Sequence, residues 1–235
     1  MKVTYLSHSS FLLEWDTCYW LFDYFEGIIP AMDPQKDIFV FCSHSHEDHF
    51  SPAVFTLTEK YPSVTYIFSN EMIDSCKQWE QKVHFLENRT DTCLTTTSGD
   101  NINIHTLQST DLGCAFFIQY NGKSIYHAGD LHWWYWEGED PDWNNNMTAD
   151  YKKEIEYLKG QNIDLAFTVL DPRQEKDYAL GMNYLLKHTS IKHMFPMHFW
   201  GDFQIIEKYL QEYPVPERTH LHVIQRNGQS FDIML

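Results

Sequence analysis

The segment FCSHSHEDHF at residues 41–50 places three histidines, a glutamate and an aspartate within positions 44–49. It follows directly on DIFVFC (37–42), a run of β-favouring apolar residues that reads as a strand buried on both faces. Downstream, Ser51 suits a helix N-cap and Pro52 the first helical position, so a helix is expected to start there and stop before Pro62. A solvated polar turn is the plain alternative for residues between strand and helix. The spacing argues for chelation instead. Side chains two apart in an extended backbone point the same way, so His44 and His46 can clamp one cation. Asp48 and His49 then turn onward, placed for a second. Imidazole with carboxylate suits zinc, and also manganese or iron. The HExxH pattern of zincins is absent, because Glu47 is followed by Asp48 and His49.

The rest of the chain reads as one α/β domain, 1–235, with two sheets and outer helices. Asn121-Gly122 between two β-prone runs predicts a hairpin over 114–120 and 123–128. Segment 64–69 reads as a strand and 70–79 as a capped helix. Further on, helices are expected at 149–160, 176–188 and 202–213, with buried strands at 163–170 and 191–198. Segments 220–224 and 229–235 read as two closing strands.

A reaction centre needs ligands from elsewhere in the chain and an open coordination position. YHAGDLH (126–132) offers Asp130 after a glycine, and FPMHFWGD (195–202) offers His198 after a strand. Taken singly, each is a turn aspartate or an ordinary histidine. The net charge of −16, with only 17 Lys and Arg, argues against a nucleic-acid partner. Five scattered cysteines without a CxxC pair, no signal-peptide core and no run long enough to span a bilayer point to a cytoplasmic protein with no membrane partner. A homo-oligomer stays open.

SHSHEDHF, HAGD and PMHFWG, in this order and separation, resemble motifs of the metallo-β-lactamase superfamily. With the N-terminal YLSHSSFLLEW and LFDYF, the chain is similar to the ascorbate-6-phosphate lactonase-like branch of metal-dependent hydrolases, over nearly its whole length. The resemblance implies an αββα sandwich of two mixed sheets with a one- or two-metal site at one edge. His44 and His46 would hold the first metal, Asp48, His49 and His198 the second, and Asp130 would bridge them. Asp23 would orient the loop, and His8 would contact substrate or shuttle protons. The family's third-motif histidine is missing from LQSTDLGCAFF (107–117). Asp111 is the favoured replacement, with Gly113 allowing close backbone approach; His105 is the alternative.

The chemistry implied is metal-assisted hydrolysis of an ester, lactone or phosphorylated substrate, with Asp130 and Asp48 available to accept a proton. LHWWYWEGEDPDW (131–143) holds four of the eight tryptophans and is either a core brace or a cavity wall, with His132 and Trp133 as substrate contacts. Arg173 in LDPRQ is either a clamp for a substrate carboxylate or phosphate or one half of a structural ion pair. His127, His188, His193, His220 and His222 are read as structural. An iron or manganese oxidoreductase and a non-catalytic metal or metabolite sensor are the competing functions.

Overall fold

The computed structural model describes residues 1–235. Fourteen strands form two seven-stranded sheets. The first sheet contains β1 (Lys2–Ser7), β2 (Ser10–Glu14), β3 (Cys18–Phe22), β4 (Asp37–Cys42), β5 (Val64–Ser69), β6 (Val83–Leu86) and, at its other edge beside β1, the last strand of the chain, Ser230–Asp232. The second contains β7 (Asp91–Thr95), β8 (Asn101–Gln108), β9 (Cys114–Tyr120), β10 (Lys123–His127), β11 (Asn162–Val169), β12 (Ser190–Met197) and β13 (His220–Leu221) in that spatial order. The terminal strand is β14.

Both sheets are mixed, and the change of direction decides where the site lies. In the first sheet β1, β2 and β3 pair antiparallel, while β3 to β6 run parallel. In the second, β7 to β10 are antiparallel and β10 to β13 parallel. The central parallel strands β4 and β11 are buried almost throughout, as DIFVFC and IDLAFTV predict. The inner faces of the two sheets meet in an aromatic core: Phe11 lies 4.3 Å from Phe167 and Phe41 5.5 Å from Phe116, ring centroid to centroid.

Three α-helices, α1 (Pro141–Leu158), α2 (Leu180–His188) and α3 (Gln204–Glu212), lie in the second half of the chain. The hairpin at Asn121-Gly122 has both residues at positive φ, as a type I′ turn requires. Helix α1 starts eight residues before the expected 149, because Asp140 caps it through Asp142 N at 2.8 Å and Pro141 occupies its first turn. Helix α2 is shorter than 176–188, since Pro172–Asp177 forms a 3₁₀ stretch broken by Glu175 at φ 52°. Residues 52–59 are 3₁₀, capped by Ser51 as expected. The helix expected over 70–79 is replaced by two short 3₁₀ turns, 70–73 and 77–82. Its presumed caps are engaged elsewhere or idle: Asn70 donates to Glu87, and Ser69 makes no capping bond. No helix is long and apolar enough to cross a membrane.

Candidate metal centre

Candidate ligands collect where the parallel strands of both sheets end, the usual position for a site in such sheets. Asp23 follows β3; Ser43 to His49 follow β4; Asp130 follows β10, Asp171 β11 and His198 β12. The turn between β1 and β2 adds His8. Seven non-glycine residues have positive φ, and His8, Asp23, His198 and Trp200 are four of them. Such strain costs on the order of 1 kcal/mol or more per residue and is characteristically concentrated at functional positions.

Ser43 ties the two sheets together. Its backbone N–H donates to Asp23 Oδ1 at 2.7 Å and its hydroxyl to Asp23 Oδ2 at 2.6 Å. Its carbonyl accepts from Cys114 N at 3.0 Å. This close passage requires Gly113 (φ 72°), because a Cβ there would meet the Ser43 carbonyl oxygen at 1.9 Å. The hydroxyl has one hydrogen and spends it on Asp23, so at 2.9 Å it accepts from His44 Nδ1–H. His44 therefore turns a bare Nε2 lone pair into the site.

The other rings are oriented in the same way. His49 Nδ1–H donates to Asp23 Oδ2 at 2.9 Å, and His198 Nδ1–H to Asp171 Oδ2 at 2.9 Å. The inward Nε2 atoms face carboxylates. His49 Nε2 lies 3.1 Å and His198 Nε2 3.5 Å from Asp130 Oδ1, and His44 Nε2 3.6 Å from Asp130 Oδ2. His8 Nε2 stands 3.2 Å from Asp48 Oδ2. His46 Nδ1 stands 3.6 Å from Asp111 Oδ2, both side chains being half exposed.

Two sets of donors result, each converging within 4.8 Å: His44, His46, Asp111 and Asp130, and His8, Asp48, His49 and His198. The residues fit divalent cations. Nε2 of His8, His44, His49 and His198 and Oδ1 of Asp130 are all buried without a hydrogen-bond partner. Unpaired polar atoms at that density are costly, about 1–3 kcal/mol each, unless a cation satisfies them.

The electrostatics point the same way. Burial, with the neighbouring His49, pushes His44 down to about 4, so its ring is neutral. Burial also opposes a charged His49, but the Asp130 and Asp23 carboxylates outweigh it and raise that ring well above its ordinary value. Asp130 is held well below the usual carboxylate range, with His49 and His198 overcoming its burial. The pocket between these groups favours positive charge.

A cavity of about 660 Å³ opens over the donors, within the range typical of small-molecule sites. Trp134, Trp136, Trp143 and Trp200 wall it together with Phe25 and Met147; His46, Asp48, Asp111, Asp130 and His198 reach it from below. The aromatic run 131–143 thus divides. Trp134 donates to the Asp130 carbonyl at 3.0 Å and lies edge-on to His198 at 5.5 Å.

Two substrate-contact expectations are corrected. His132 is buried, with Nε2 2.7 Å from Gln174 Oε1, and Trp133 turns the other way to donate to Thr148 and stack on Tyr151. Neither lines the cavity. His8 also does not line it; only 5% exposed, it sits among the donors rather than facing substrate. His105 is placed away from the centre, paired with Asp91 at 2.9 Å and stacked on Tyr157 at 3.8 Å, which leaves Asp111 as the residue beside His44 and His46. His127 is structural as expected: Nε2–H donates to Ser9 O at 3.1 Å and its ring stacks on Phe22.

Asp171 is the site residue that sequence reasoning passed over. Fully buried, it accepts from His198 Nδ1, Arg173 N and Arg173 Nε. Its only signal was its position at the end of a predicted strand, one residue before a proline.

Residues 2–136 match the model of the β-lactamase superfamily domain. A UPF0173 metal-dependent hydrolase of Heliobacterium modesticaldum is 26% identical over 225 residues, covering 88% of this chain and 86% of that protein. Igni18, a metallo hydrolase of Ignicoccus hospitalis, aligns with a TM-score of 0.64 at 16% identity over 99% of both chains. CmlA, a diiron β-hydroxylase of Streptomyces venezuelae, aligns with a TM-score of 0.56 at 11% identity over 84% of this chain and 44% of its own. These two likenesses extend to the fold alone.

Proposed function

The chain belongs to the metallo-β-lactamase superfamily, and from that premise we propose that it is a metal-dependent hydrolase of a small-molecule ester, lactone or phosphorylated substrate. The observation that carries this reading is the cluster of unpartnered, buried Nε2 atoms around Asp130 at the floor of a ligand-sized cavity.

His44, His46, Asp111 and Asp130 would hold one cation. Asp48, His49 and His198, joined by His8, would hold the other, and Asp130 stands between the two sets, its Oδ2 toward His44 and its Oδ1 toward His49. Zinc suits this donor set, and its three carboxylates suit manganese or iron as well. Bound cations supply an acidified water and polarise the scissile oxygen. Asp23 and Asp171 fix the ring orientations through the outer nitrogens of His49 and His198. Asp48, which reaches the cavity, would take up the proton released on attack through the carboxylate oxygen not turned to His8 and His198. The aromatic walls exclude water from the bound substrate and hold it against the donors.

A panel of lactones, thioesters, phosphodiesters and sugar phosphates, assayed with zinc or manganese, tests the reading. Turnover of one class, lost in His46→Ala and Asp130→Asn with folding retained, supports it; unchanged rates in both variants overturn it. The three carboxylates among the donors favour one second reading, a redox-active iron centre. A visible absorption band with oxygen consumption would shift the assignment there.

A further inference from the structure

We propose that Arg173 recognises an anionic group on the substrate, so that the molecule hydrolysed is an amphiphilic anion, an apolar or aromatic body bearing a carboxylate or phosphate away from the scissile bond. This rests on the hydrolase reading and narrows its substrate.

Arg173 is the only lysine or arginine lining the cavity of a chain with net charge −16. It is also rigidly mounted. Its Nε bonds Asp171 at 2.9 and 3.0 Å and its Nη2 at 2.5 Å. The guanidinium carbon lies 4.6 Å from the Trp200 ring centroid and 5.9 Å from that of Trp136. A guanidinium held on one edge and packed on aromatic faces keeps little rotamer freedom to lose when it binds a planar anion.

The ion pair with Asp171 alone does not account for this arrangement. Asp171 already accepts from His198 Nδ1 and Arg173 N, whereas Arg173 Nη1 bonds nothing in the protein and the side chain remains 48% exposed. Its uncommitted edge is a donor on a residue that lines the cavity. A cationic substrate is the opposite possibility for a cavity walled by tryptophans. Here Arg173 already lies over Trp136 and Trp200, and a second cation beside it would be repelled. Of the four lining carboxylates, Asp48, Asp111 and Asp130 belong to the donor sets, which leaves Glu47 as the one uncommitted negative charge.

The geometry separates two tasks. Asp171 Oδ2 accepts from both Arg173 Nη2 and His198 Nδ1, so the guanidinium is bonded to the partner of a donor ring and to no donor atom itself. Arg173 belongs to neither donor set, so an anion it holds is a group other than the one the donors act on. This fits a substrate that carries its charge at one end and its ester, lactone or phosphoester bond at the other.

The test uses the metal-loaded protein with mono-4-nitrophenyl adipate, its methyl ester, and 4-nitrophenyl 5-phosphonopentanoate. The first two differ only in a remote free carboxylate; the third replaces it by a phosphonate. Wild type should favour at least one charged ester over the neutral one by tenfold or more in kcat/KM. Arg173→Met should abolish the preference mainly through KM at unchanged metal content, and Arg173→Lys should restore part of it. A second arm needs no turnover: quenching of tryptophan fluorescence by 4-phenylbutyrate, with 4-phenylbutanol as the neutral control. The acid should bind wild type at least tenfold tighter than Arg173→Met, and the alcohol should bind both equally. Hydrolysis with equal preference in wild type and Arg173→Met overturns the inference and leaves the hydrolase reading intact. If no ester is turned over, the quenching arm decides, and equal binding of acid and alcohol to wild type overturns it. Should Arg173→Met lose metal, the comparison rests on Arg173→Lys, which keeps the charge but not the fork; undiminished anion binding there overturns recognition by the guanidinium.

Discussion

Asp23 Oδ2 accepts a hydrogen bond from His49 Nδ1 at 2.9 Å, and the opposite nitrogen of that ring stands 3.1 Å from Asp130 Oδ1. The same carboxylate holds Ser43, so one fully buried aspartate sets both the ring orientation and the path of the loop. Asp23→Asn keeps the shape but removes the charge. Metal affinity should fall by roughly 10–100-fold, the usual cost of losing such a partner, as measured by competition with a chromogenic chelator. Unchanged affinity would show that Asp23 serves folding only.

Asp111 and His105 are rivals for the place of the missing histidine, and their surroundings predict opposite outcomes. Asp111→Ala should reduce bound metal from two ions to one, because it removes a donor from beside His44 and His46. His105→Ala should leave stoichiometry unchanged, since His105 is occupied with Asp91 and Tyr157. Elemental analysis of the two variants side by side checks both statements.

Gly113 and Gly228 share nearly the same φ, 72° and 73°, but differ in what surrounds them. An added Cβ at 228 meets nothing within 4 Å, so Gly228→Ala should cost only the left-handed strain of about 1 kcal/mol. At 113 it meets Ser43 O at 1.9 Å and His44 Cβ at 2.7 Å. Gly113→Ala should cost at least about 2 kcal/mol more and weaken metal binding as well, because Ser43 and His44 must move. Urea unfolding of both variants gives the difference; equal costs would mean that the close passage of the two sheets is dispensable.

Stability should fall in mild acid, partly through His222. Burial, with His220 and His193 beside it, pushes this ring down to about 3, and it stacks on Phe195 at 4.0 Å. Below pH 6.5, its ordinary value, the unfolded chain takes up a proton that the folded chain refuses. The cost therefore grows as pH falls from 6.5 towards 3 and is absent above 6.5. His222→Phe should flatten part of that slope in urea midpoints measured between pH 7 and 4. An identical slope in wild type and variant would show that His222 is protonated in the fold.

What the sequence made legible follows from how local each signal is. The loop ligands stand within six residues at the end of a strand, and Asn121-Gly122 is a complete turn signal in two residues. Asp23, Asp130 and His198 are readable only through the resemblance of their combined motifs to a known family; they follow β3, β10 and β12, far apart in the chain. Asp171 carries no such pattern, since its role depends on His198 and Arg173 approaching from a different strand and a following turn. Trp133 and Trp134 are neighbours that face opposite ways, so composition cannot say which lines a cavity. The segment 70–79 has helical spacing but no side-chain cap at its start, where Asn70 bonds Glu87 instead, and it forms two short 3₁₀ turns.

A two-cation centre organised around Asp130 is tested by the metal content of the purified protein, measured by elemental analysis before and after reconstitution in wild type and Asp130→Asn. Two equivalents of divalent cation per chain are expected in wild type and fewer than one in Asp130→Asn, with both proteins folded. Absence of stoichiometric metal in wild type, with no uptake on reconstitution, would contradict it.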